Sequence, residues 1–197
     1  MRPLTDSEKQ ERERAITQAA TRVMAVRGFS AMTMEEVARE AGLAKGTLFL
    51  YYRKKEDLLL AVFAAMVEDL HSRLRRLASS GLPPGKLLEE LVLALLNQFD
   101  RRRDITGYSG GMPLSGARRE ALKERFAANM QLIASILELC VSGGLLRLED
   151  PLFAASALFG LCRGSNTYAR AAGHRLPVEA RARRVLEIFL NGTRKKT

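Results

Sequence analysis

The chain has 197 residues, with 32 Lys plus Arg against 22 Asp plus Glu, a net charge of +10 at neutral pH. With 47% hydrophobic and 27% charged residues it can bury a core, which excludes wholesale disorder. Its longest strongly apolar runs, 58–67 and 151–162, fall short of the ~18 residues a spanning helix needs, and Arg2, Asp6, Glu8 and Lys9 stand where a signal peptide would place its apolar core. A soluble cytoplasmic protein with no membrane partner is expected. Cys140 and Cys162 read as small buried hydrophobes of a reducing compartment. The charge points to a polyanionic partner but does not name it.

Apolar residues recur at three- and four-residue spacing almost throughout, while period-2 alternation is nowhere sustained. That pattern predicts an all-α protein. The first helix runs over 8–27, with Ile16, Ala19, Ala20, Val23 and Met24 as its stripe and Gly28 as its stop. Thr33 followed by Glu36 is a capping box, in which hydroxyl and carboxylate each take up an orphan N–H at a helix start. Val37, Ala38 and Ala41 give that second helix its inward face, and Gly42 ends it in the left-handed conformation. A third short helix begins near Lys45, with Leu48 facing back toward Val37 and Ala38. Breaks at 79–85, 106–116, 142–144 and 173–177 then separate helices at roughly 55–78, 84–104, 117–141, 150–172 and 177–190. There is no internal repeat.

Two short helices joined by a tight glycine turn cross steeply and free the second to lie in a DNA major groove. Lys45, Gly46 and Thr47 occupy the first turn of that helix, where base edges and phosphates are met first. Gly46 lets the backbone come close, Thr47 offers a hydroxyl, and Tyr51 offers a phenol to a phosphate. Lys55 opens the next helix with positive charge beside free N–H groups. The Ala38–Gly42 spacing alone also suits plain helix packing. The run YYRKKEDL at 51–58, with two tyrosines before three basic residues, serves no core.

Residues 27–59, RGFSAMTMEEVAREAGLAKGTLFLYYRKKEDLL, resemble the DNA-binding domain of the TetR (tetracycline-repressor-like) family of bacterial transcriptional regulators. The resemblance is specific over 8–60. It implies a helix-turn-helix reader at 1–54, a linking helix at 55–78, and a helical bundle at 79–197 for ligand binding and dimerisation. It also implies DNA contacts at Thr33, Lys45, Gly46, Thr47, Phe49, Leu50, Tyr51 and Lys55. Three positions depart from the family's pattern. Phe49 lacks the usual tyrosine hydroxyl, and Ala44 lacks a serine N-cap worth ~1 kcal/mol. Tyr52 replaces phenylalanine, keeping a packing role with its hydroxyl reaching solvent.

Beyond residue 60 the pattern is helical but less specific. The segment 84–104 carries Leu87, Leu88, Leu91, Val92, Leu95, Leu96 and Phe99, apolar around much of its circumference and so buried on several sides. Leu122, Phe126, Met130, Ile133, Ile136 and Leu137 line 117–141. Such stripes are core. Because the family places its effector cavity among these helices, Leu91, Leu95, Phe126, Met130 and Ile133 are also candidate lining, with Asn97, Asn129 and Asn166 as orienting polar groups. Asp150 and Pro151 start the next helix as N-cap and first residue. Phe153, Ala157, Leu161 and Gly164 there, with Val185, Ile188 and Phe189 on the last helix, form a candidate homodimer interface, as the family's four-helix dimer contact implies.

An enzyme is not expected. His71 and His174 have no neighbouring triad partners, no His/Cys pair has metal spacing, and no phosphate-cradling glycine motif follows a strand. No metal or cofactor is assigned. The expected function is a ligand-responsive repressor that binds palindromic operator DNA as a homodimer and is released by a small-molecule effector. The alternatives are a non-specific architectural DNA-binding protein without effector, or a helical scaffold. Residues 1–60 carry only +2 of the net charge and residues 61–197 carry +8. The arginine clusters at 73–76, 101–103, 118–125, 181–184 and the basic tail at 194–196 therefore read as solvated faces, or as attractors of DNA or an anionic effector.

Overall fold

In a computed structural model, residues 5–105, 117–171, 173 and 176–193 are described. Among them lie the helices α1 (Asp6–Ala31), α2 (Met34–Glu40), α3 (Lys45–Tyr51), α4 (Lys55–Ala78), α5 (Pro84–Ile105), α6 (Ala117–Ser142), α7 (Pro151–Ala171) and α8 (Val178–Thr193), and no strand. The fold is all-α, as the periodicity predicts. The break at 106–116, the tail at 194–196 and His174 lie outside the described residues. The clusters at 101–103 and 118–125 are only partly described.

Helix ends follow local chemistry. Thr5 and Glu8 form a capping box that starts α1 at Asp6, two residues before the apolar stripe signals it. Gly28, at φ +74°, interrupts α1 where a stop is expected, and 29–31 add one further turn. The Asp150 carboxylate accepts from the N–H groups of Leu152 and Phe153, both at 2.9 Å, and so caps α7.

The chain divides into two compact units within α4. One comprises the described residues of 1–67 and of 102–122. Its core joins Ile16, Ala19, Ala20 and Met24 of α1 to Val37 and Ala38 of α2, Leu48 of α3, and Leu58, Val62 and Phe63 of α4. The other comprises 68–101 with 123–197, and its core joins Leu70 and Leu74 of α4 to α5, α6, α7 and α8. Seven apolar residues of α5, from Leu87 to Phe99, are all buried there. That is the helix expected to be covered on several sides.

Cys140 and Cys162 are free and buried. Burial pushes the Cys140 thiol up to about 11 and the Cys162 thiol up to about 12. Both are therefore neutral at pH 8, and the thiolate is the reactive form. Iodoacetamide at that pH is expected to alkylate neither cysteine in the folded protein and both in urea, as read by intact mass.

Candidate nucleic-acid interface

The Thr33 hydroxyl accepts from the Glu36 N–H at 3.2 Å, while the Glu36 carboxylate accepts from the Thr33 N–H at 3.0 Å. That backbone N–H, ahead of all other causes, holds the Glu36 carboxyl below its ordinary range. Arg27 of α1 pairs with the same carboxylate at 3.2 Å. The start of α2 is thus fixed both to itself and to α1.

The turn that follows has a definite geometry. Gly42 sits at φ +67°, its N–H donates to Arg39 O at 3.1 Å, and the Leu43 N–H donates to Ala38 O at 2.8 Å. This is a Schellman ending, which needs a residue free of left-handed strain at Gly42. It delivers the chain directly into α3. Ala44 supplies no side-chain cap there, as its lack of a hydroxyl predicts.

Leu48 is the one buried residue of α3. Anchoring one face against α1, α2 and α4 leaves the opposite face to solvent. Lys45 and Gly46 are exposed on the first turn. A side chain at Gly46 would meet nothing within 4 Å, so a partner's backbone can approach it. Leu50 is 85% exposed, an apolar side chain standing free in water. Thr47, Phe49 and Tyr51 are half-buried, and Thr33 is exposed at the α2 start. Tyr52 and Leu58 are buried in the core of this unit, which corrects the expectation that the run at 51–58 serves no core.

Two of the expected contacts already have partners within the chain. The Lys45 ammonium pairs with Glu35 and lies 5.9 Å from the Phe49 ring centroid. That pairing holds the Glu35 carboxyl below its usual range. The Lys55 ammonium donates to Ser30 O at 3.0 Å and sits 4.6 Å over the Phe29 ring. Lys55 therefore ties the start of α4 to the end of α1 as well as placing charge near α3.

Residues 16–62, the stretch that builds this surface, match the model of the family described as bacterial regulatory proteins, tetR family. These residues form a DNA-binding domain of the TetR family. The HTH-type transcriptional regulator HbdR of Aromatoleum sp. is 26% identical over 140 residues, covering 70% of this chain and 61% of that protein. The uncharacterized regulator YdgC of Bacillus subtilis is 31% identical over 104 residues, covering 49% of this chain and 51% of that protein. The chain spans about half the length of the curated relatives it matches. Two solved structures share its fold. A regulator of the TetR/AcrR family from Thermobifida fusca superposes with TM-score 0.72 at 21% identity, covering 94% of this chain and all of that one. FadR from Bacillus subtilis in complex with stearoyl-CoA superposes with TM-score 0.70 at 20% identity, covering 91% and 98%.

The residues named as pocket lining sit in four different settings. Leu91, Leu95, Met130 and Ile133 are buried in one core cluster. Phe126 is 40% exposed, its ring edge-on to Phe159 at 5.3 Å. Asn129 is buried with its Oδ1 2.9 Å from His71 Nδ1 of α4, and Asn166 donates to Phe99 O at 3.3 Å. Asn97 is exposed. Of the residues named for dimerisation, Phe153 is 72% and Ile188 60% exposed, with Ala157 and Gly164 also outside and Leu161 half-buried. Val185 and Phe189 turn the other way, into the chain's own core.

Some features escaped the sequence reading. A groove of about 320 Å³ between α1 and α2 is lined by Arg22, Val23, Val26, Arg27, Glu36, Arg39 and Glu40, with Arg22 and Glu40 paired at 2.7 Å. Arg181, read as part of a solvated cluster at 181–184, is instead buried and paired with Asp100. Its spacing carried the signal: Arg181, Val185 and Phe189 recur every four residues on one face of α8. Arg183 and Arg184 are exposed.

Proposed function

We propose that the chain is a ligand-responsive transcriptional regulator, a repressor that binds palindromic operator DNA as a homodimer and is released by a small-molecule effector. The observation that carries this reading is the outward face of α3. Gly46 is open to close approach and Leu50 stands free, while fully buried Leu48, with Phe49 and Tyr51 packed beside it, holds the helix down. Thr33, Lys45, Gly46, Thr47, Phe49, Leu50, Tyr51 and Lys55 form the DNA-contacting set, within a reader of 1–54 that α4 continues. The protein acts in the cytoplasm, where its operator lies.

Residues 79–197 hold the effector and dimer functions in this reading. Phe153 and Ile188, exposed on α7 and α8, supply the apolar centre of a two-fold interface. Light scattering at micromolar concentration is expected to give the dimer mass, and a monomer would remove this part of the proposal. The stearoyl-CoA complex of Bacillus subtilis FadR supports a small-molecule role for a bundle of this fold, by fold analogy alone. The binding form and the released form then differ in population, and the effector shifts it.

Selection from random duplexes is expected to yield a palindrome, and scrambled competitor should fail to displace it in a gel shift. Equal displacement by scrambled DNA would instead support an architectural binder. Lys45→Ala is expected to weaken operator binding roughly tenfold and to lower the salt slope by about 1. Tyr51→Phe, losing one neutral hydrogen bond, should cost about 1 kcal/mol of binding. Unchanged affinity in both variants would remove these contacts.

A further inference from the structure

The interior of the helical bundle holds polar atoms that the described residues leave without a partner. Arg181 of α8 is 4% exposed, and its Nη2 pairs with Asp100 Oδ2 of α5. Its Nε and Nη1 meet no acceptor, and Asp100 Oδ1 and Asn166 Oδ1 meet no donor. These atoms belong together. Asn166 Nδ2 donates to the carbonyl of Phe99, the residue before Asp100. Cys162, one turn before Asn166 on α7, lies near enough to Arg181 to feel its charge. Three helices therefore bring two open donor nitrogens of one guanidinium and two open acceptor oxygens to the same part of the bundle. Native interiors pair such groups with protein, water or ligand.

The chemistry narrows what fits. The charges of Arg181 and Asp100 already cancel, so an anionic group would leave a net charge in a buried site. A neutral group that accepts from Arg181 and donates to Asp100 or Asn166 satisfies both sides. The surroundings are otherwise apolar: Leu158, Cys162 and Ala182 are buried in the same cluster. From Phe99 an aromatic row leads outward, to Phe159 at 4.9 Å and then to Phe126 at 5.3 Å, whose ring is partly in solvent.

We propose that Arg181, Asp100 and Asn166 are the polar anchor of the effector site, taking a hydroxyl or primary amide at the head of an apolar molecule whose body lies along Phe159 and Phe126. This rests on the reading of the chain as an effector-responsive regulator. It also gives the site a short route to α4, because Arg101, next to Asp100, pairs with Asp69 of that helix.

The test uses the full-length protein and four probes of matched chain length: octanamide, 1-octanol, octanoate and methyl octyl ether. Calorimetry is expected to show octanamide and 1-octanol binding at least tenfold more tightly than octanoate or the ether. Asn166→Leu should lower the affinity for the amide and the alcohol tenfold or more with an unchanged melting temperature. The triple variant Asp100→Leu, Asn166→Leu and Arg181→Met, which removes all three anchoring groups without stranding a charge, should bind the alcohol and the ether equally. Absence of binding by both neutral probes, equal binding of all four heads, or an unchanged Asn166→Leu affinity would overturn the site and leave its open atoms to water. Operator binding is read separately by gel shift. Probe binding without any operator binding would sink the regulator reading, whereas operator binding without probe binding sinks only the anchor.

Discussion

Truncating Leu48 to Ala is expected to abolish specific operator binding, by more than 100-fold, and to destabilise the reader by about 2–5 kcal/mol. The size of the effect follows from Leu48 being the one fully buried anchor of a short helix. A helix of seven residues is far below the ~12–15 needed for stability alone, and Ala44 gives it no side-chain cap. Leu48 is the one fully buried residue of α3, with Phe49 and Tyr51 packed partly buried against the same core. Without it, the helix loses both its anchor and its angle, and the exposed Lys45, Gly46 and Leu50 lose their common frame. Hydrogen exchange over 33–52 should rise in the variant while exchange across α5 and α6 stays unchanged. Leu48→Met keeps the volume, should cost under about 1.5 kcal/mol, and should retain binding. Leu50→Ala is the converse case: its side chain touches solvent, so operator affinity should fall with no loss of stability. Retention of operator affinity within threefold by Leu48→Ala would show that Phe49 and Tyr51 hold α3 without its one fully buried residue.

Much of this reader was legible in the chain because its determinants are local. The Thr33–Glu36 box, the Gly42 turn and the inward Val37, Ala38 and Leu48 act within a few residues of one another, and the structure places each as its chemistry requires. The partners of Lys45 and Lys55 were not legible. Glu35 lies ten positions from Lys45, and Ser30 lies twenty-five from Lys55; neither spacing has a helical period. The bundle was legible in its apolar stripes but not in its polar interior. The arginines at 181, 183 and 184 look alike as a charge run, and only the four-residue register with Val185 and Phe189 separates the buried one from its neighbours. Its partner Asp100 is eighty-one positions away, beyond any local pattern. For the same reason Val185 and Phe189, apolar residues on an apolar helix, could be assigned to a partner's surface when they face their own core.

Replacing Asp100 with Ala is expected to cost about 3–5 kcal/mol, because it strands the Arg181 guanidinium in the bundle without a counter-charge. The side chains are 5% and 31% exposed, so water can do little to compensate. Arg181 already has two nitrogens unpartnered among the described residues, and losing Asp100 removes its one charge-assisted hydrogen bond. Exposed pairs of similar length behave differently. Lys86 and Glu89 meet at 2.8 Å on the surface of α5, where solvent screens the pair, so breaking it should leave the unfolding midpoint almost unchanged. Replacing both partners, Asp100→Leu with Arg181→Met, should be neutral or stabilising by roughly 1–4 kcal/mol, since the buried guanidinium and its counter-charge are then removed together. Urea unfolding followed by far-ultraviolet circular dichroism measures all three variants, and the double-mutant cycle isolates the pair. If the single variant were as stable as the double, Arg181 would be solvated in the native state and the buried site would not exist. A single variant that is unstable beside a stable double means that the protein keeps a costly ion pair it could replace with hydrocarbon. Folding alone does not require that pair, whereas binding a polar ligand head does.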